Sequence, residues 1–184
     1  MPPPAVGRWR VWLFLGAAVF LGVGIRSLSY KSAIQGDRVY FFGADSWYHM
    51  GRIIYAVKND FALPDWPRPD PYLNYPAGGQ SQWGPLFDLG IAGIIKAAGL
   101  KGRHWQEVLA AFVPAVLGGL CAIPVFLLGR LFWSSATGLF AAFLLAVLPG
   151  HIIYTMLGNV DHHAAESLLF ALILTAFISG RFKT

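Results

Sequence analysis

The sequence predicts an all-α membrane protein, and two features of its composition and patterning support this. Apolar residues make up 56% of the 184 residues and charged residues only 12%, whereas about a quarter of the residues in a soluble domain are charged. Four apolar runs approach the roughly 20 residues that a membrane-spanning helix needs. The net charge of +5 therefore indicates helix flanks that face anionic lipid, and it does not indicate a nucleic-acid partner.

The first predicted span covers residues 9–29 and follows a short disordered segment at 1–8. A basic start before an apolar stretch also fits a cleaved signal peptide, but no A-x-A-like cleavage site follows it. Three further spans are predicted within residues 107–184, at 109–128, 136–154 and 164–178. Prolines lie inside or at the ends of these runs, which membrane helices tolerate better than soluble helices do.

The segment 85–100, PLFDLGIAGIIKAAGL, is apolar but has only 16 residues. It contains Asp88 and Lys96, and each costs about 2.5–3.5 kcal/mol at the centre of a membrane helix. We therefore expect a helix that lies at the interface or packs on other helices without crossing the bilayer. Residues 30–106 then form one long external loop.

The basic flanks predict the orientation. If Arg8 and Arg10 are cytoplasmic, four spans place Arg130, Arg181 and Lys183 on the cytoplasmic side as well, in agreement with the positive-inside rule. Both termini are then cytoplasmic, and Asp45 and Asp161 lie on the same external face. A crossing at 85–100 would put these two carboxylates on opposite faces, so the topology also decides whether they can share a site.

The external loop contains a first polar stretch, GADSWYHMGRIIYAV, at residues 43–57. Its apolar residues are spaced as in a helix that starts near Asp45, and His49 lies one turn further on the same face. Asp45 could act as the N-cap of this helix or as a functional carboxylate, and this stretch alone leaves both readings open.

A second polar stretch, GNVDHHAAE at residues 158–166, lies between two apolar runs. Asp161 and His163 are two residues apart at the mouth of a helix, where both side chains could face one ion. A carboxylate oxygen and an imidazole nitrogen suit manganese or zinc, and magnesium fits if more oxygen ligands and water take part. The alternative is that Asp161 caps the helix that follows, and the two roles do not exclude each other.

Three stretches together resemble the catalytic subunit of oligosaccharyltransferase, in its archaeal and bacterial form. They are GADSWYHM at 43–50, DPYLNYPAGGQSQWGPLFD at 70–88 and LAVLPGHIIYTMLGNVDHHAAE at 145–166. Their order and spacing also fit, so the resemblance covers about residues 8 to 180. It implies a membrane glycosyltransferase of the GT-C type, with helices in the external loop that do not cross the bilayer.

The resemblance also implies an activity and a site. The family transfers an oligosaccharide from a polyprenyl diphosphate carrier to the Asn side chain of N-x-[ST] sequons in an acceptor polypeptide. Asp45 and Asp161 are the implied catalytic carboxylates; with His163 they are the implied ligands of Mn²⁺ or Mg²⁺, and His162 is implied near the donor diphosphate. A multi-pass protein of the cell (inner) membrane is expected, with its active-site loop external or periplasmic.

The chain departs from the family pattern in two ways. It ends at Thr184 after four predicted spans, so it resembles an N-terminal fragment, and we expect this fragment not to transfer glycan by itself. Tyr154 stands where many relatives have an Arg. Two alternatives remain: another GT-C transferase that uses a polyprenyl-phosphate sugar, or a non-catalytic membrane scaffold in which Asp45 and Asp161 are helix caps.

Overall fold

The computed structural model describes residues 8–65, 68–71 and 73–181, which are mostly helical. The predicted disordered segment at 1–8 lies outside the described residues except for Arg8, the first residue of a helix. The chain divides into two compact units. We call residues 1–29, 114–157 and 163–184 the membrane unit, and residues 30–113 and 158–162 the loop unit.

Nine α-helices and a short hairpin are present in the part of the chain that the structure describes. They are α1 (Arg8–Arg26), α2 (Tyr30–Ala33), β1 (Ile34–Gln35), β2 (Arg38–Val39), α3 (Ala44–Lys58), α4 (Leu86–Ala97), α5 (Arg103–Leu120), α6 (Ala122–Phe132), α7 (Ser135–Val147), α8 (Pro149–Thr155) and α9 (His163–Arg181). A 3-10 turn at Ser27–Ser29 follows α1. The two strands are antiparallel, with Ile34 opposite Val39.

Three helical stretches are long and apolar enough to cross a membrane among the described residues. They are Trp9–Ala33, Arg103–Phe132 and His163–Gly180. Helices α7 and α8 form a fourth span if the two halves, which are bent by 59°, count as one. The four predicted runs thus correspond to four helical stretches, and one of them is broken.

In the membrane unit, α1 and α6 both pack on α7, and α6 also contacts α9. Buried apolar side chains fill the centre of this packing: Val11, Leu15, Ala18, Ala122, Phe126 and Ala142. Helices α6 and α7 approach closely at Gly129, where an added Cβ would lie 2.7 Å from Gly138 Cα. Small residues at such crossings allow membrane helices to pack backbone against backbone.

Arg26, the last residue of α1, is fully buried in the membrane unit. Pro149 has no backbone N–H, so the carbonyl of Leu145, four residues earlier, cannot accept the usual helical hydrogen bond there. The Arg26 guanidinium donates to Ala146 O at 3.1 Å and to Leu145 O at 3.4 Å. It also reaches the second half of the broken span, at Thr155 Oγ1 (2.7 Å) and His151 Nδ1 (2.6 Å). The Arg26 side chain therefore donates to backbone carbonyls at the end of α7, where the helix breaks, and also bonds to side chains of α8.

In the loop unit, α3 packs on α4. Apolar side chains of both helices are buried, among them Met50 and Ile53 of α3 and Ile91 and Ile95 of α4. Helix α4 has 12 residues and is therefore about 18 Å long, shorter than the roughly 30 Å of a bilayer's hydrocarbon core. This length agrees with the prediction that residues 85–100 do not cross.

The segment 158–162 joins the loop unit through its backbone. Gly158 N–H donates to Ala111 O at 2.9 Å, and Phe42 N–H donates to Gly158 O at 3.0 Å. Gly158 has a φ of 91°, and an added Cβ would lie 2.9 Å from the Phe42 ring. Only glycine fits here without strain, and the two bonds hold the second polar stretch beside the start of α3.

Candidate active site

The first polar stretch forms the N-terminal turn of α3. The N-cap residue is Gly43, with a φ of 80°, and Asp45 is the second residue of the helix with an exposed side chain. The alternative that Asp45 is the N-cap is therefore wrong, because the helix already begins at Ala44 and its N-cap residue is Gly43. The Asp45 carboxylate still lies where the helix dipole favours negative charge.

Ser46 connects the first polar stretch to the second. Its hydroxyl is buried, donates to Phe42 O at 2.6 Å and lies 3.3 Å from Asn159 Oδ1. Asn159 is two residues before Asp161. Ser46 and Asn159 are 113 residues apart in sequence, and their contact brings the two polar stretches together within the loop unit.

His49 lies at the centre of this meeting point and is fully buried. Its Nδ1 is 2.7 Å from Asp88 Oδ1, and its Nε2 is 3.5 Å from Asp161 Oδ1 and 3.2 Å from His162 Nδ1. Asp161 Oδ1 lies 2.6 Å from His162 Nδ1. We refer to His49, Asp88, Asp161 and His162 as the His49 cluster.

The charge of the His49 cluster follows from its surroundings. Burial alone would lower the pKa of the His49 imidazole, but hydrogen bonds with Asp161 and Asp88 and the charges of both carboxylates raise that pKa to about 9. In the metal-free protein His49 is therefore protonated at neutral pH and donates from both ring nitrogens. The protonated His49 therefore places one positive charge 3.5 Å from Asp161 Oδ1.

Neighbouring side chains hold the cluster in place. The second oxygen of the Asp88 carboxylate forms an ion pair with Arg52 Nη1 at 2.9 Å, and Arg52 Nη1 donates to Ser81 Oγ at 3.3 Å. The His49 ring lies against Trp83, with centroids 4.8 Å apart, and edge-on to Phe87 at 5.4 Å. The pairing with Asp88 and the packing against Trp83 and Phe87 thus fix the position of the His49 ring.

A cavity of about 580 Å³ lies beside this support within the loop unit. Arg52, Trp83, Asp65 and Ser81 contribute to its wall together with apolar side chains, including Leu63 and Leu89. Residues 66, 67 and 72 lie outside the described residues.

The structure brings together two of the four predicted site residues, Asp161 and His162, in the His49 cluster. Asp45 is in the same unit, at the start of α3. His163 is the first residue of α9 in the membrane unit, where its Nδ1 lies 3.1 Å from Glu166 Oε2. The metal-binding roles of Asp45 and His163 stay predictions.

The donor atoms of the cluster fit a divalent metal ion. His49, Asp161 and His162 each offer one ligand atom, and these atoms lie within 4.8 Å of one another. Ligands at zinc-like distances around a tetrahedral ion are about 3.3 Å apart, and the two distances from His49 Nε2 are 3.2 and 3.5 Å. The third distance, from Asp161 Oδ1 to His162 Nδ1, is 2.6 Å. It would have to lengthen by less than about 1 Å to reach the separation of two zinc ligands.

His49 and Asp88 were not predicted as functional residues from the sequence. His49 is four residues after Asp45, so helical spacing placed it on the same face, and that was the only signal for it. Asp88 is 39 residues further on and was identified only as a charge that is costly in a bilayer. In the structure, the Asp88 carboxylate is buried in the loop unit, where it pairs with His49 and Arg52.

Comparisons with known proteins agree with these observations. The sequence matches the family described as "Oligosaccharyl transferase STT3, N-terminal" over residues 17–183. Dolichyl-phosphooligosaccharide-protein glycotransferase 1 of Archaeoglobus fulgidus is 33% identical over 165 residues, which are 88% of this chain and 26% of that protein. Glycotransferase AglB of Haloferax volcanii is 30% identical over 171 residues, covering 89% of this chain and 16% of AglB. The chain thus spans 26% of the length of the first relative and 16% of that of the second.

Solved structures of the Archaeoglobus fulgidus oligosaccharyltransferase have a similar fold. The complex with Zn and sulfate matches 89% of this chain and 20% of that chain, at 30% identity and a TM-score of 0.75. The complex with an inhibitory peptide and a dolichol-phosphate matches 92% and 19%, at 30% identity and a TM-score of 0.78. A third, tethered with an acceptor peptide containing the NVT sequon, matches 89% and 19%, at 27% identity and a TM-score of 0.77. The predicted fold, an all-α membrane protein with GT-C-type helices, is confirmed.

Proposed function

The chain belongs to the oligosaccharyl transferase STT3 family, and on this premise we propose that it forms the N-terminal membrane part of an oligosaccharyltransferase. The enzyme would transfer an oligosaccharide from a polyprenyl diphosphate carrier to the Asn side chain of N-x-[ST] sequons. The observation that carries this proposal is the junction of the two polar stretches, in which Ser46 Oγ lies 3.3 Å from Asn159 Oδ1. This contact brings residues from two distant parts of the sequence into one site.

The two carboxylates of the polar stretches would bind the acceptor side chain. An amide nitrogen is a poor nucleophile because its lone pair is delocalised into the carbonyl group. Asp45 and Asp161 would accept hydrogen bonds from the two N–H bonds of the carboxamide, which weakens this conjugation and prepares the nitrogen for attack. The nitrogen then attacks the anomeric carbon of the sugar, the bond to the diphosphate oxygen breaks, and a carboxylate takes the proton that nitrogen loses.

Asp45, Asp161 and His163 would hold Mn²⁺ or Mg²⁺ in this proposal, and a solved relative contains Zn. When bound, such an ion supplies positive charge that offsets the charge developing on the departing diphosphate. His162 lies beside Asp161 and would donate a hydrogen bond toward the donor diphosphate. The buried His49 and Asp88 would keep His162 and Asp161 in place during the reaction.

The membrane helices suit the lipid part of the donor. A polyprenyl chain needs an apolar surface. Helices α1, α7 and α9 expose large apolar side chains, including Phe20, Phe140 and Phe170. We place the protein in the cell (inner) membrane as a multi-pass protein, with both termini cytoplasmic and the loop unit external or periplasmic. A dolichol-phosphate and an acceptor peptide in the solved relatives support these partner classes.

A chimeric enzyme tests the proposal. The chain replaces the matching N-terminal part of the Archaeoglobus fulgidus oligosaccharyltransferase, and transfer of a labelled glycan to an NVT peptide is measured in detergent. We expect transfer by the chimera, and a loss of about a hundredfold or more for Asp161→Asn. Asp37→Asn is the matched control, because Asp37 is exposed in the turn of the hairpin, and it should leave the rate unchanged. An inserted, folded chimera whose rate is insensitive to Asp161→Asn would refute the assignment.

A further inference from the structure

A second cavity of the loop unit lies along α3 and has a volume of about 460 Å³. Its wall includes three aromatic side chains of α3 and a carboxylate from the loop that follows, namely Trp47, Tyr48, Tyr55 and Asp70. Gly51 lies between Trp47 and Tyr55 at intervals of four residues, so these three residues lie along one side of the helix. We call this cavity the α3 cleft, and the proposed reaction does not use it.

Gly51 leaves the space between the two outer rings open. An added Cβ there would meet nothing within 4 Å, although glycine inside a helix costs stability relative to alanine. The Trp47 and Tyr55 side chains are 48% and 40% exposed and start about 12 Å apart along the helix axis. The face of an aromatic ring carries partial negative charge, so it attracts the C–H groups on the less polar side of a sugar ring.

The wall of the cleft also supplies a fixed hydrogen-bond acceptor. Asp70 is 5% exposed, and its Oδ2 accepts from the Tyr48 hydroxyl at 3.2 Å. The Asp70 backbone exchanges two hydrogen bonds with Gly79, at 2.8 and 3.1 Å, and the Tyr48 ring packs against Trp83 with centroids 5.6 Å apart. A carboxylate only accepts hydrogen bonds, and the hydroxyl groups of a sugar can donate them.

The charges and the backbone of the cleft favour a neutral polar ligand. Arg52 and Asp70 contribute one positive and one negative group to the described part of the wall, so these two charges do not select an ionic ligand. The backbone groups of α3 bond within the helix and therefore offer no edge to an extended peptide. Aromatic rings with a few fixed polar groups are typical of small-molecule sites, and a neutral sugar matches both features.

We infer that the α3 cleft binds sugars of the donor oligosaccharide that follow the reacting sugar, with stacking on Trp47 and Tyr55 and a hydroxyl group bound to Asp70. This inference rests on the proposed function in taking the donor as the ligand, and it adds a subsite that favours longer glycans. Gly51 lies six residues after Asp45 on α3, about 9 Å along the axis. The first sugar therefore reacts beside Asp45 while the following sugars lie on the cleft.

Saturation-transfer NMR on the purified chain in detergent tests the binding. The probe is the oligosaccharide released by mild acid from the lipid carriers of the organism that encodes the chain. We expect saturation of its ring C–H protons, and an affinity about 2-fold to 10-fold lower in Tyr55→Leu. Gly51→Leu, which fills the space between the rings, should abolish binding. Trp105→Leu is the matched control, because Trp105 is 60% exposed in the same unit and does not line the cleft.

A conservative variant keeps the inference testable if Tyr55→Leu does not fold. Tyr55→Phe retains the ring and should bind the oligosaccharide as the wild type does. A folded wild-type chain that transfers no saturation to the oligosaccharide, or one whose affinity Gly51→Leu leaves unchanged, overturns the inference. If Gly51→Leu instead removes the binding of the NVT peptide, the cleft serves the acceptor and the inference is overturned as well.

The chimera separates this outcome from that of the proposed function. In an active chimera, Gly51→Leu should raise the KM for the complete donor and leave unchanged the KM for a donor trimmed to its first sugar. Equal effects on both donors would refute only the subsite. If the purified chain binds the oligosaccharide through the cleft and the chimera is inactive, the subsite stands and the proposed function fails.

Discussion

Phe42 N–H donates a 3.0 Å hydrogen bond to Gly158 O, and this bond holds the second polar stretch against the start of α3. Gly158 can take part because its φ of 91° is accessible to glycine and because no Cβ occupies the space next to the Phe42 ring. The position of Asp161, three residues later, depends on this junction. Its removal should therefore disturb the candidate site as well as the fold.

Gly158→Ala should destabilise the protein strongly. The new Cβ would lie 2.9 Å from the Phe42 ring and 3.0 Å from Ala33 Cβ, and the backbone would be held in a conformation that alanine disfavours by about 1–3 kcal/mol. Thermal unfolding in detergent measures the loss. Gly51→Ala is the matched control in the same unit, because Gly51 is inside α3 and an added Cβ meets nothing within 4 Å. It should be neutral or stabilising by about 0.5–1 kcal/mol, and a similar loss in both variants would contradict the packing argument.

The pKa of His49 predicts how the stability of metal-free protein depends on pH. This pKa is raised from 6.5 to about 9 on folding, so the folded state binds the proton more tightly than the unfolded state does. The resulting stabilisation is complete below about pH 6.5 and is lost as the pH rises through about 9. In protein treated with a chelator, the unfolding midpoint of the wild type should fall over this range relative to that of His49→Gln.

Nuclear magnetic resonance gives an independent measurement of the same property. The ¹⁵N signals of His49 in metal-free protein should titrate with a midpoint near pH 9. A His49 midpoint at or below 6.5 would show that the two carboxylates do not outweigh the effect of burial.

The sequence predicted the spans well because a bilayer requires long apolar helices, and their composition is visible without any tertiary contact. Asp161 was predicted as a site residue because charged groups are unusual between two apolar runs, and His162 was implied by the family resemblance; both roles stay predictions. The His49–Asp88 pair could not be predicted in this way, since it joins two helices whose packing is decided by apolar contacts between α3 and α4. The break at Pro149 was visible as a proline, but the role of Arg26 in satisfying it depends on the packing of α1.

Arg26→Met should destabilise the membrane unit by about 2–5 kcal/mol. The substitution removes the Arg26 hydrogen bonds to Ala146 O and to Thr155 Oγ1, and each buried polar group that loses its partner costs about 1–3 kcal/mol. Arg130→Met is the control, because Arg130 is exposed near the end of α6 in the same unit. Unfolding followed by circular dichroism should separate the two variants, and equal midpoints would show that Arg26 does not hold the broken span together.

Cysteine labelling tests the predicted topology. Cys121 is buried, with 2% exposure, and Cys121→Ala removes the only native thiol. In this background, Asp37→Cys probes the loop unit, and Trp133→Cys probes the connection between α6 and α7, where the Trp133 side chain is 75% exposed. With four spans and a 12-residue α4 that does not cross, a membrane-impermeant maleimide should label the first variant in intact cells and the second only after lysis. Labelling of Trp133→Cys in intact cells would mean that an additional segment crosses between the two probes, and a shared external site for Asp45 and Asp161 would then require a different path for the chain.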